Sequence, residues 1–150
     1  MDISDLFQIP LEAKALSSKG TRSTMPHLTV HLPENRLTGK EPMLVAALTD
    51  AIVDVYGEWA RDLVSIRLAG VPSGRFAQGG KVVDTNASVI LGVRAGVFDR
   101  PDAARITARL GTVLTDAITR VVGDDLRTGT TVELVASPAE RTFVGGALTV

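Results

Sequence analysis

A chain of 150 residues, 45% of them hydrophobic, is long enough for one domain with a real core and too short for two. Sixteen basic against 17 acidic residues leave a net charge of -1, which excludes the basic surface that a phosphate backbone or an anionic membrane demands. The absence of cysteine excludes disulfides, thiolate nucleophiles and cysteine metal sites, and it fits a cytoplasmic setting.

Residues 1–24 lack the continuous apolar core of a signal peptide, and no run of about 18 apolar residues occurs to span a bilayer. The polar stretch Ser17 to Thr24 ends at Met25-Pro26, where alternation begins. Leu28, Val30 and Leu32 fall on one face of a strand, and His27, Thr29 and His31 on the other. Thr38-Gly39-Lys40-Glu41 reads as a capping box, with Thr38 receiving the Glu41 backbone N–H and the Glu41 carboxylate reaching back. Leu44, Ala47, Leu48, Ala51, Ile52 and Val55 form the apolar stripe of the helix that follows, and Gly57 ends it. Tyr56 and Trp59, at that end, read as packing residues. Leu63 to Leu68 alternates as a second strand, and Pro72 to Gly80 is a glycine-rich turn region. It is no phosphate loop, because no Gly-Lys-Ser/Thr follows and it opens no helix.

The same order repeats. Ser88 to Val93 is a strand, and a helix opens around Asp99-Arg100-Pro101, where a capping Asp and an early Pro suit a start. Its stripe is Ile106, Leu110, Val113, Leu114, Ala117, Ile118 and Val121; Gly123 ends it, and Thr131 to Ala136 is the last strand. Two tandem β-α-β units predict an α/β (two-layer α+β) fold, with a four-stranded, mainly parallel sheet and two helices on one face. The uncovered face requires a partner, so a closed homo-oligomer is expected, a homotrimer first. His27 and His31 share a strand face, but without cysteine or a third histidine they complete no metal site and read as ordinary strand histidines.

Met25-Pro26, Arg36, Ser65-Ile66-Arg67 and the run Gly74-Arg75-Phe76-Ala77-Gln78-Gly79-Gly80, taken in this order, resemble the tautomerase superfamily, whose best-known member is 4-oxalocrotonate tautomerase. The doubled unit over residues 26–150 is similar to the long fused members, cis-3-chloroacrylic acid dehalogenase among them. The resemblance implies a cofactor-independent, metal-free enzyme whose exposed N-terminal proline is the catalytic base and acid. That assigns Pro26 and makes residues 1–25 a leader absent from the active enzyme, with Met25 the initiation residue or a processing boundary. Arg67 resembles the catalytic arginine that meets the substrate's carbonyl and carboxylate oxygens, often across a subunit boundary. Arg36 resembles the substrate-binding arginine, and Phe76 the aromatic residue that keeps the proline dry. Arg94 and Arg100 lie near the second-half arginines of the fused members, and Arg94 is assigned to anion binding. The dehalogenases and hydratases add a carboxylate that activates water; here Val144 stands where the acid belongs, and Glu140 beside Arg141 reads as a solvated pair. That departure speaks against hydrolytic dehalogenation, so a dehalogenase or hydratase is only the alternative activity, and a noncatalytic oligomer that keeps residues 1–25 is the alternative to an enzyme.

The implied chemistry is simple. A free N-terminal proline is a secondary amine, and α-amino groups titrate at about 7.7–8.0. Burial beside Phe76 and cations at Arg36 and Arg67 are expected to disfavour its ammonium form. Such a base removes a proton next to a carbonyl, the electron pair moves onto oxygen, and a guanidinium stabilises the enolate. Returning the proton at another carbon completes a keto-enol or double-bond isomerisation of a small carboxylate. Arg suits the task because its planar fork holds a carboxylate with two parallel hydrogen bonds. Inside a polypeptide the same nitrogen is a tertiary amide with a delocalised lone pair, so the chemistry requires Pro26 to come first.

Overall fold

Alternation at Leu28, Val30 and Leu32 places all three in full burial and starts the sheet. A computed structural model describes residues 26–148; the leader expected over residues 1–25 lies outside them. Strand β1 (His27–Pro33) runs into a one-turn helix, Glu34–Leu37, then helix α1 (Glu41–Tyr56) and strand β2 (Ser65–Val71). The second half repeats this with β3 (Ala87–Arg94), α2 (Ala103–Val122) and β4 (Thr130–Ser137).

The sheet order is β2-β1-β3-β4. The β1–β2 and β3–β4 pairs are parallel and the central β1–β3 pair is antiparallel, so the sheet is mixed, with two of its three pairings parallel. Register carries one apolar face across every strand: Leu28 stands opposite Ile66 and Leu91, and Val30 opposite Leu68 and Val89. Both helices cover that face. All six residues of the α1 stripe are buried, together with Tyr56, whose ring meets Trp59 edge-on at 5.9 Å. In α2, Ile106, Leu110, Leu114, Ala117 and Ile118 are buried, and Val113 and Val121 pack at the margin. Gly57 and Gly123 end the two helices at φ +112° and +128°.

Leu48 and Leu114 have no exposed surface. Truncating either to Ala removes its transfer energy and leaves a cavity, so each should lower the unfolding free energy by about 2–5 kcal/mol in urea titrations. A loss below about 1 kcal/mol would mean that the core collapses to fill the space.

Both helix starts differ from expectation. The Thr38 hydroxyl donates to the Glu34 carbonyl at 3.0 Å and closes the preceding one-turn helix, while Glu41 Oε1 accepts the Gly39 N–H at 2.7 Å. Lys40, not Thr38, stands at the N-cap of α1. Helix α2 begins at Ala103 rather than near Asp99. Residues 95–99 form a 3-10 turn, and Arg100, which precedes Pro101, is held extended at φ -78°, ψ 148°. The helix can start only after that proline, and Asp102 at its N-cap turns its carboxylate to Arg100 at 3.2 Å instead of to the backbone. The second strand starts at Ser65 instead of Leu63. Two hairpins absent from the periodicity also appear, Ala77–Gln78 with Lys81–Val82 and Phe143–Val144 with Ala147–Leu148.

Candidate active site at the amino-terminal end of the first strand

Pro26 is buried at the head of β1, where its carbonyl accepts the Ser65 N–H at 3.1 Å. Because β2 runs parallel to β1, Ser65 stands beside His27 and Arg67 beside Thr29. Because β3 runs antiparallel, Gly92 stands opposite His27, and the strand continues past it so that Arg94 comes to the same end as Pro26. Strand register thus sets Pro26, Arg67 and Arg94, from three stretches of sequence, toward one end of the sheet, with Arg67 level with Thr29 and Arg94 beyond the level of His27. Arg67 is exposed on the face that no helix covers; Arg94 is half-buried, and that burial lowers the pKa of its guanidinium.

His27 shares this open face. A Cβ built on Gly92 would lie 1.9 Å from its Nε2 and 2.2 Å from its Cε1, so the imidazole occupies the space that a side chain at 92 would fill. Burial first, and then the charge of Arg67, lower the His27 pKa and favour a neutral ring at neutral pH.

Arg36 and Phe76 belong to the opposite end of the sheet. The seven residues of β1 span roughly 20 Å at about 3.3 Å each, and both side chains follow the carboxyl ends of strands. Phe76 is half-buried in an open cleft of about 380 Å³, lined also by Pro33, Glu34, Asn35, Pro72 and Asp84. The Arg36 guanidinium already holds a carboxylate. Nη1 donates to Asp125 Oδ1 at 2.9 Å and to the Val122 carbonyl at 3.0 Å, and Nη2 pairs with Asp125 Oδ2. The bond raises the Arg36 pKa and lowers that of Asp125. Gly123 makes room for this clasp: a Cβ there would lie 2.6 Å from Asp125 Oδ1 and 2.7 Å from Arg36 Nη1. The clasp ties the end of β1 to the end of α2, joining the two halves. Solvent screens it, so Arg36→Ala should cost about 1 kcal/mol of stability by denaturant titration, and a cost near zero would mean that the clasp is idle.

Arg100 pairs with Asp102, and Glu140 lies 3.9 Å from Arg141 with both side chains exposed. Among the described residues, no group of three or more His, Cys, Asp or Glu side chains is placed to hold a metal ion, and no helix is long and apolar enough to cross a membrane. Two features of the site escaped the sequence. Asp125 lies 89 residues from Arg36, with no local pattern to pair them. The seat for His27 had a signal, since a glycine inside a strand marks a close approach.

Comparison with known proteins identifies the fold. Residues 26–86 match the model of the tautomerase enzyme family. The described fold is shared with F6 fused 4-OT, a wild-type asymmetric trimer, at 27% identity and a TM-score of 0.70 over 82% of this chain and 95% of that one. R7 fused 4-OT, also a wild-type asymmetric trimer, is 26% identical with a TM-score of 0.70 over the same shares. Pt0534 inactivated by 2-oxo-3-pentynoate shares the fold at 18% identity, with a TM-score of 0.68 over 82% of this chain and 94% of that one. A search of curated proteins finds no match. The chain thus carries a tautomerase-family unit over residues 26–86, within a described fold shared with the fused 4-OT structures.

Proposed function

We propose that this chain, once it begins at Pro26, is a cofactor-independent tautomerase that moves a proton alpha to a carbonyl of a small carboxylate. What supports this is that strand register sets a buried proline and two guanidinium-bearing residues, Arg67 and Arg94, toward one end of the sheet. A freed Pro26 nitrogen there is a secondary amine near two cations, both of which favour its neutral, basic form. It takes the proton, Arg67 stabilises the oxygen on which charge develops, and Arg94 holds the carboxylate. The prolinium then returns the proton at a different carbon.

Arg36 and Phe76 lie a strand's length from their own Pro26, so they serve this chemistry only when supplied by another copy of the chain. A homotrimer does that: Phe76 dries the proline site of a neighbour, and Arg36 exchanges the Asp125 carboxylate for that of the substrate. Residues 1–25 are lost before the enzyme acts in the cytoplasm.

An electrophile tests the assignment. With 2-oxo-3-pentynoate, the reagent that inactivates Pt0534, a free Pro26 amine attacks the alkyne carbon farther from the ketone. A nitrogen–carbon bond forms as one alkyne π bond breaks, its electron pair moves to the ketone oxygen, and the proton lost from the nitrogen then settles on the alkyne carbon next to the ketone. Peptide mass mapping should find the whole reagent added at Pro26 in a chain starting there, and nothing added at Pro26 in a chain starting at Met1. Labelling elsewhere, or none, contradicts the assignment.

A further inference from the structure

Strand alternation sends His27, the residue after Pro26, onto the open face of the sheet. Its ring does not stand away from the sheet but lies across to β3, with the Nε2–Cε1 edge over Gly92. Any residue at 92 other than glycine would evict it. Gly92 is buried although it sits on the uncovered face.

Among the described residues, register sets Ser65 and Arg67 of β2, Thr29 of its own strand, and Gly92 and Arg94 of β3 nearest to His27, and Val135 of β4 stands opposite Gly92. Both charged members of this set are cations. A carboxylate entering between Arg67 and Arg94 meets the imidazole at the same level. A neutral imidazole presents a hydrogen-bonding nitrogen there without adding a third positive charge against the bound arginines.

We propose that His27 is a substrate-positioning residue of the Pro26 site: its ring, laid into the space left by Gly92 beside Arg67, forms a wall against which the substrate's carboxylate and carbonyl are set. This rests on the reading of Pro26 as the base. The seat explains the glycine. The neutrality of the ring follows from its burial and its cationic neighbour, and it gives His27 a role that a lysine or arginine at 27 would not fill.

A double-variant cycle tests it in the chain that begins at Pro26, which contains the whole core and every pairing of the sheet. His27→Ala should lower kcat/KM for phenylenolpyruvate about tenfold, mainly through KM, the loss expected for one hydrogen bond to a charged group. Gly92→Ala should lower it as much, because the new methyl takes the ring's place. The double variant His27→Ala/Gly92→Ala should be no worse than His27→Ala alone, and His27→Gln should recover part of the loss. Wild-type activity in Gly92→Ala, or losses that multiply in the double variant, overturn the proposal. Turnover by the wild type, lost in Pro26→Ala, tests the base assignment separately. Should the wild type prove inactive, proton NMR still decides on His27: 3-phenylpropionate, an unreactive carboxylate, should shift the His27 ring resonances in the wild type and not those of His31. No shift at high ligand concentration overturns the proposal whatever the fate of Pro26.

Discussion

Pro26→Ala, in a chain that begins at this position, should lower kcat for ketonisation of phenylenolpyruvate by about 10²- to 10⁴-fold, the range expected for removing a positioned general base. The fold should survive. The bond from the Ser65 N–H goes to the backbone carbonyl of residue 26, which alanine keeps. The alanine amine is a primary one and lacks the ring that fixes its direction, so some residual rate is expected. Full activity, with an unchanged melting temperature, would remove Pro26 from the mechanism.

Arg67→Ala should cost about 10²- to 10³-fold in kcat, as expected for removing a preplaced donor to a developing oxyanion. Arg67 is exposed, so its loss should leave thermal unfolding nearly unchanged. Arg67→Lys should restore only part of the rate, because an ammonium keeps the charge and loses the planar fork. A variant that is less stable but equally fast would make Arg67 structural.

How much of this was legible in the sequence depends on the length over which a pattern repeats. Leu44 through Val55 repeats over three turns, and burial of one helix face dictates it, so every member lies in the core. Thr38 was misread because a cap is a competition between neighbours: the Glu34 carbonyl, in a helix of four residues with no period to announce it, takes the hydroxyl first. The two hairpins have strands of two residues each, too short to alternate. The direction of the β1–β3 pair is not written in either strand, since Leu28 and Leu91 alternate identically whichever way they run. The site divides along the same line. The family resemblance proposed Pro26, Arg67 and Arg94, and strand register sets them toward one end of the sheet. Chain length along β1 then carried Arg36 and Phe76 to the far end, a separation that residue type and order do not disclose.

The proposed chemistry depends on the Pro26 nitrogen leaving its peptide bond. The direct measurement compares phenylenolpyruvate ketonisation by the chain of residues 1–150 with that by residues 26–150, each with its N-terminus verified by intact mass. Activity confined to the protein that starts at Pro26 is the predicted result. Equal turnover by a protein that still carries residues 1–25 would contradict it, because an amide nitrogen has no proton to give and no lone pair with which to take one.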